Sequence, residues 1–180
     1  MKLITDEYVS EMVRLHTSED PKQRYGDGSY NWAYLLCGIA RLEQCKDVLD
    51  YGCGGGSLVR ALNTAGVNCS GYDPGYPGLT GKLPDFPRDL VVCLDVLEHI
   101  EPDCLDDVLA HIIGLARRRI FVAIATRPAS KTLSDGRNAH LIQKEGVWWR
   151  NQFEIRRCKV RREWPAVGEW VALMNAPGAN

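Results

Sequence analysis

Hydrophobic and polar residues follow strand-like and helix-like patterns in turn along most of the chain. The runs 47–50, 67–72, 90–94 and 120–125 are short and mostly apolar, as expected for strands that are buried on both faces of a sheet. Between these runs apolar residues recur every three to four positions, most clearly after Pro102, which predicts helices that bury one side. Strands that alternate with helices predict an α/β fold with a doubly wound, mostly parallel sheet.

The two ends of the chain carry further predicted elements. Residues 6–16 and about 30–44 have the pattern of N-terminal helices, and a short helix is predicted around 145–151. The last two strands are predicted over 153–160 and 169–174. They lack a good crossover helix between them, which indicates an antiparallel hairpin at one edge of the sheet.

Composition excludes several classes of protein. The 22 Lys and Arg residues against 23 Asp and Glu give a net charge of −1, which argues against a globally basic nucleic-acid binder. No apolar run approaches the length of a membrane span, and the N-terminus has no apolar signal region. The seven cysteines form no C-x-x-C pair, so we expect neither a zinc site nor a disulfide framework, and we predict a cytoplasmic location.

The strongest chemical signal is a glycine-rich loop between the first core strand and the next helix. It has the pattern D-x-G-x-G-x-G over Asp50–Gly56. A dinucleotide-binding loop, G-x-G-x-x-G, would need glycine where this chain has Ser57. An acid at the strand end repels pyrophosphate but attracts an ammonium or sulfonium group. Asp73, at the end of the next strand, is placed to accept hydrogen bonds from ribose hydroxyls.

These motifs resemble those of class I S-adenosylmethionine (SAM)-dependent methyltransferases. Residues 48–56 resemble the first motif of that family, 71–74 the second and 89–100 the motif of the fourth strand. The resemblance implies that SAM is the cofactor and that the chain is an enzyme. The residues that it assigns to the cofactor are Asp50, Gly52, Cys53, Gly54, Gly56, Asp73, Pro74, Leu94 and Asp95.

The resemblance also implies a role for each part of the chain. Asp50 faces the methionine end of the cofactor, the glycines pass under it, Asp73 holds the ribose, and Leu94 and Asp95 lie beside the methyl group. We predict a single domain that consists of a helical cap over 1–45, a cofactor-binding core over 46–126, and an acceptor loop with closing strands over 127–180.

One departure from the family concerns the third strand. Only residues 74–88 separate the second strand from the fourth-strand motif, and they are rich in Gly and Pro. This segment is too short for the usual helix and strand, so we predict that the third strand is absent or vestigial. Adenine must then be covered by other groups, for which we consider Tyr72, Tyr76 and the backbone near Asp85.

Methyl transfer needs a general base only if the acceptor must lose a proton, and the candidates for this catalytic role are Asp95, His99 and His140. Asp95 and His99 share a face if the chain turns helical after the strand. Alternatively, His99 is a packing residue with no catalytic role. Together with Glu98 these residues form an oxygen and nitrogen set that suits Mg²⁺ or Mn²⁺ and resembles the metal region of small-RNA 2′-O-methyltransferases. We nevertheless expect a metal-independent enzyme.

Two segments bear on the acceptor. The loop over 126–140 follows the fifth predicted strand and is rich in donors, including Arg127 and Lys131. The loop over 17–28 is placed to close the site from above, with His16, Arg24, Tyr25 and Tyr30 as its candidate contacts. The basic run over 156–162 suits either an edge strand or single-stranded nucleic acid. Arg117, Arg118 and Arg119 are predicted to cap the helix that precedes them. We predict a small-molecule or sugar-like acceptor. A nucleic-acid methyltransferase and a non-catalytic SAM-binding partner subunit remain open.

Overall fold

The computed structural model describes residues 1–20, 29–76, 78, 83–84 and 86–179. Within these residues a mixed sheet forms the centre of the fold, in the order β2-β1-β3-β4-β6-β5. The strands are β1 (Asp47–Tyr51), β2 (Asn68–Tyr72), β3 (Arg88–Leu94), β4 (Ala116–Ala125), β5 (Lys159–Trp164) and β6 (Glu169–Asn175). β1 to β4 pair in parallel, whereas β6 is antiparallel to both β4 and β5.

Helices cover both faces of this sheet. They are α1 (Asp6–His16), α2 (Ala33–Leu42), α3 (Ser57–Thr64), α4 (Leu105–Gly114) and α5 (Gly146–Glu154). Short 3₁₀ turns occur at Ser29–Trp32, Leu97–His99 and Pro102–Cys104. In the part of the chain that the structure describes, no helix has both the length and the apolar character that crossing a bilayer requires.

The core lies in two layers, one on each side of the sheet. On one side α4 and α5 bury Leu109, Trp149 and Phe153 against the strands. On the other side Leu36 from α2 and Leu62 from α3 pack against the opposite face. Helices on both faces, with an antiparallel pair at one edge, confirm the predicted fold class.

The connection between β2 and β3 also agrees with the sequence prediction. Among its described residues, 73–76, 78, 83–84 and 86–87, there is no strand or helix. β3 is therefore the strand that carries the fourth-strand motif, and it pairs directly with β1. Asp85 lies outside the described residues.

Two predicted boundaries are wrong. Arg117, Arg118 and Arg119 do not cap the preceding helix but belong to β4, where Arg117 contacts Asp47 and Asp89 across the strand ends (2.6 and 3.0 Å). The strand predicted over 153–160 is likewise misplaced. The helix α5 continues to Glu154, because Trp149 and Phe153 lie one turn apart and are both buried, and β5 begins only at Lys159.

Candidate active site

A cavity of about 460 Å³ opens beside the carboxyl ends of β1 and β3, where ligands bind in open α/β sheets. Its wall includes residues that the sequence predicted to bind the cofactor or to act in catalysis: Gly52, Cys53, Gly54, Asp73, Pro74, Leu94, Asp95, His99 and His140. Asp50 and Gly56 were also predicted to bind the cofactor, but they do not line the cavity. Gly56 instead occupies the N-cap of α3.

The glycine loop has a backbone that only glycine adopts easily. Gly52, Gly54 and Gly56 have φ values of 81°, 49° and 73°, in the left-handed region. A Cβ atom on Gly52 would lie 2.2 Å from Cγ2 of Val96. The amides of Gly52 and Cys53 donate to the carbonyl of Tyr72 at 2.7 and 3.1 Å, which ties the loop to the end of β2.

Asp73 fixes the glycine loop from the neighbouring strand. Its Oδ2 accepts a hydrogen bond from the Gly54 amide, and its Oδ1 accepts one from the Gly75 amide, both at 2.8 Å. Each carboxylate oxygen can accept a further hydrogen bond. Because Asp73 also lines the cavity, this leaves it able to bind hydroxyl groups there.

Asp50 lies behind the loop and is 1% exposed. Its Oδ2 has no hydrogen-bond partner among the described residues. Burial, with a smaller contribution from the charge of Asp73, raises the pKa of Asp50 to about 7. A cationic group bound close by would stabilise its charged form.

Two histidines stand together at the other end of the cavity. The ring centroids of His99 and His140 are 4.8 Å apart, with the planes at 84°. His99 Nδ1 lies 2.8 Å from the carbonyl of Ala139, and His140 Nδ1 lies 2.6 Å from the carbonyl of Arg127. A carbonyl only accepts, so each Nδ1 is the donor. Burial lowers the pKa of both rings, to about 4 for His99.

Glu98 joins these histidines, as in the oxygen and nitrogen set considered from the sequence. One ligand atom from each of Glu98, His99 and His140 lies within 4.8 Å of the others, and Asp95 is not part of this group. The helical turn that would give Asp95 and His99 a shared helix face does not form, because the chain makes a 3₁₀ turn at Leu97–His99 and Asp95 has a φ of 50°. Both residues nevertheless line the cavity.

The Glu98 carboxyl is fully buried. Its Oε1 accepts a hydrogen bond from the Ala125 amide at 2.8 Å, whereas Oε2 has no partner among the described residues. Burial and the charge of Asp95 raise the pKa of Glu98 to about 8. An acid in this position gains from a cation placed next to it.

The N-terminal segment and the helix α1 close one side of the cavity with mostly apolar side chains, which sequence reasoning missed. Leu3, Ile4, Tyr8 and Met12 line the wall. The amide and hydroxyl of Thr5 donate to Glu101 at 2.9 and 2.8 Å. The apolar spacing in α1 indicated a buried face, but the sequence held no signal that this face meets a cavity.

The remaining candidate residues lie partly in the cavity wall and partly elsewhere. His16, Arg127 and Lys131 line the cavity. Tyr72 packs in the core against the Tyr51 ring, at 4.9 Å between centroids, whereas Tyr76 lies edge-on to His16 and beside Gly55. Tyr30 is exposed, and Arg24 and Tyr25 lie outside the described residues.

Comparison with known families settles the class of protein. A family model described as "Methyltransferase domain" matches residues 29–162, which include the glycine loop, Asp73 and the histidine pair. The chain belongs to this family. The resemblance to SAM-dependent methyltransferases stated from the motifs is thereby confirmed.

One curated relative and two solved structures illustrate the likeness. The ubiquinone biosynthesis O-methyltransferase of Pseudomonas aeruginosa is 33% identical over 96 residues, 41% of this chain and 39% of that protein. The chain thus spans about two fifths of the length of this relative.

The structures share the fold at low identity. Magnesium protoporphyrin IX methyltransferase from Synechocystis with bound SAM has a TM-score of 0.58 at 18% identity, covering 96% of this chain and 91% of that one. The 1,6-didemethyltoxoflavin-N1-methyltransferase from Burkholderia thailandensis, with its acceptor and S-adenosylhomocysteine (SAH), has a TM-score of 0.67 at 16% identity, covering 98% and 92%.

Proposed function

We propose that this methyltransferase-family chain transfers the methyl group of SAM to a hydroxyl group of a small molecule. One observation carries the proposal. A single cavity is lined at one end by the glycine loop and Asp73 and at the other by His99 and His140. Donor and acceptor can therefore meet inside one cavity, and positioning supplies much of the catalysis of methyl transfer.

The residues at the first end fit SAM. The cofactor supplies a methyl group on a sulfonium, which makes it electrophilic. The Asp50 carboxylate attracts a positively charged amino acid portion, Asp73 accepts from ribose hydroxyls, and the left-handed glycines allow close approach of the backbone. Tyr76 beside Gly55 is placed to cover the adenine. SAM or SAH bound in structural neighbours supports the same cofactor.

The residues at the second end favour an oxygen acceptor. A hydroxyl must lose its proton before or during attack. His99 and His140 are neutral near pH 7 and donate from Nδ1, so each Nε2 carries a lone pair. Such a lone pair serves a hydroxyl in one of two ways, by accepting the proton or by holding a metal ion on which the hydroxyl ionises. Asp95 and Leu94 line the cavity between the two ends.

The shape and lining of the cavity favour a small, amphipathic acceptor. Ile4, Met12 and Ile100 form an apolar wall, and Arg127 and Lys131 add cationic groups. Two basic side chains from the run over 156–162 contact acidic side chains of the same chain, which argues against a nucleic-acid acceptor. Arg156 pairs with Asp106, and Arg161 lies 3.6 Å from Glu43.

The test has two stages. SAH is expected to raise the melting temperature of the chain by mass action. Radiolabelled SAM is then incubated with fractionated small-molecule extracts and, separately, with total RNA. We expect label in a small-molecule fraction. Label in RNA alone would support the nucleic-acid alternative, and SAH binding without transfer to either pool would support the non-catalytic partner.

A single variant separates the acceptor end from the cofactor end. His140→Ala is expected to lower turnover by at least about tenfold while the affinity for SAH stays nearly unchanged. His111→Asn, a histidine outside the cavity wall, is the matched control. Equal loss of SAH binding and turnover in His140→Ala would place His140 in the cofactor site and contradict the assignment.

A further inference from the structure

Arg127 and Lys131 bring positive charge to the acceptor end of the cavity. Both belong to the loop after β4, and both line the cavity wall together with the two histidines. Burial is the main cause that lowers the pKa of His140, and the charge of Arg127 lowers it further. Burial also dominates the lowered pKa of His99, to which the charge of Lys131 adds. The cationic groups therefore lie near the histidines.

The backbone and the turn between β5 and β6 hold Arg127 in place. Its carbonyl accepts the ring N–H of His140 at 2.6 Å, and the preceding amide, that of Thr126, donates to the carbonyl of Gly168 at 2.9 Å. A Cβ atom on Gly168 would lie 2.9 Å from Cδ of Arg127, so the side chain packs directly on this turn. Arg127 is thus positioned before an acceptor binds.

The guanidinium of Arg127 keeps most of its hydrogen-bond donors. In the part of the chain that the structure describes, its side chain makes one hydrogen bond, from Nη2 to Oε1 of Glu169 at 3.4 Å. An ion pair of this length on a half-exposed side chain adds little stability. The remaining N–H groups suit an oxyanion, which a guanidinium binds through two parallel hydrogen bonds.

A second acid, Asp95, also lies near Arg127 and lines the cavity. Under the proposed function the sulfonium of SAM lies beside Asp95, and these two charges offset each other. Asp20 lies near Lys131 and offsets part of its charge. The positive charge of Arg127 is then left for the acceptor.

We propose that the acceptor carries an oxyanion, a carboxylate or a phosphate, which Arg127 binds while the hydroxyl to be methylated lies at His140. The inference rests on the proposed function and names its substrate class, a hydroxy acid whose apolar body packs against the wall that contains Met12 and Ile100. Because the His140 ring donates to the Arg127 carbonyl, the two recognition points are adjacent.

The first experiment reads the charge of the product. Label is transferred from SAM to small-molecule extracts, and the labelled product is analysed by electrophoresis at about pH 8, where carboxylates and phosphates are ionised. We expect an anion. Phosphatase treatment then distinguishes a phosphate ester, which loses its charge, from a carboxylate, which keeps it. A neutral or cationic product would overturn the proposal, whereas absence of transfer to any small molecule counts against the proposed function.

The second experiment measures anion binding without turnover. The SAH complex of the full chain is titrated with 2-naphthoate and with its neutral counterpart, 2-naphthamide. We expect 2-naphthoate to bind at least about tenfold more tightly. Arg127→Gln should remove this preference and Arg127→Lys should keep part of it. Arg150→Gln, which changes an arginine outside the cavity wall, is the matched control and should bind as the wild type does.

Affinity for SAH, measured alongside, is expected to be the same in all variants and shows that each is folded. Three results would each overturn the anion site, whether or not methyl transfer is observed. They are equal affinity of the wild type for the two probes, no binding of 2-naphthoate at millimolar concentration, and a preference for 2-naphthoate that survives in Arg127→Gln.

Discussion

The hydroxyl of Tyr8 donates a hydrogen bond of 2.7 Å to the backbone carbonyl of His99. This bond joins α1 to the turn that carries two of the three clustered side chains. With the contacts between Thr5 and Glu101, it makes the N-terminal helix a fixed wall of the cavity. The residues around the histidines are therefore positioned from both sides, by the loop after β4 and by α1.

Removing this bond tests the role of α1. We expect Tyr8→Phe to lower the free energy of unfolding by about 1 kcal/mol and to speed amide exchange in α1, since the ring stays packed but loses its anchor. Affinity for SAH should not change. Calorimetry and hydrogen exchange measure these effects. Unchanged exchange in α1 would show that packing alone holds the helix.

Glycine substitutions test the cofactor loop. Gly54→Val is expected to abolish SAH binding, because a branched side chain is strained at a φ of 49° and occupies the cavity. Gly38→Ala is the control. Gly38 lies inside α2, and a Cβ atom added there would meet no atom within 4 Å, so alanine should stabilise the fold by about 0.5–1 kcal/mol. Titration calorimetry that finds SAH bound to Gly54→Val would contradict the loop assignment.

The raised pKa of Asp50 predicts that the affinity for the cofactor depends on pH. Its pKa of about 7 lies above the ordinary value, so the side chain is neutral below pH 7 and negative above it. The negative form attracts the ammonium group of SAH. Affinity should therefore rise about tenfold between pH 6 and pH 8, and Asp50→Asn should abolish this rise. A wild-type affinity independent of pH would remove Asp50 from the cofactor site.

The ion pair between Arg119 and Glu43 predicts that a substitution far from the cavity lowers the stability of the fold. Arg119 is 4% exposed, and its Nε lies 2.7 Å from Glu43. Glu43→Gln is expected to destabilise the fold by about 2 kcal/mol or more, because it removes the carboxylate opposite a buried charge. Arg150→Gln breaks exposed pairs with Glu154 and Glu163, and it should change stability by less than about 1 kcal/mol. Similar melting temperatures for the two variants would contradict this difference.

The sequence predicted the alternation of strands and helices and the cofactor loop because both depend on local patterns. Apolar runs mark the strands, and the pattern over Asp50–Gly56 needs left-handed glycines whatever lies around it. The short, Gly- and Pro-rich connection before Arg88 likewise predicted an absent or vestigial third strand, and the residues of this connection that the structure describes form none. The division of the chain at 45 and 126 stays a prediction.

What the sequence did not reveal depends on contacts between distant segments. The sequence grouped Asp95 with Glu98, His99 and His140 by residue type alone, and it did not reveal that Asp95 stays outside the cluster, in which hydrogen bonds between the turn after β3 and the loop after β4 hold residues 42 positions apart. The apolar face of α1 looked like ordinary packing. The start of β4 was missed because three arginines suggest a helix end, whereas Arg117 pairs with Asp47 and Asp89 and Arg119 pairs with Glu43 across the sheet edge.

The position of β6 between β4 and β5 has a consequence for synthesis of the chain. β4 pairs with β3 on one side, but its other side pairs with residues 169–175. Until these residues have left the ribosome, the buried strand Ala116–Ala125 presents an apolar open edge, and β5 has nothing to pair with. Completion of the sheet is therefore a late event, and a nascent chain stopped before Glu169 carries an edge prone to aggregation.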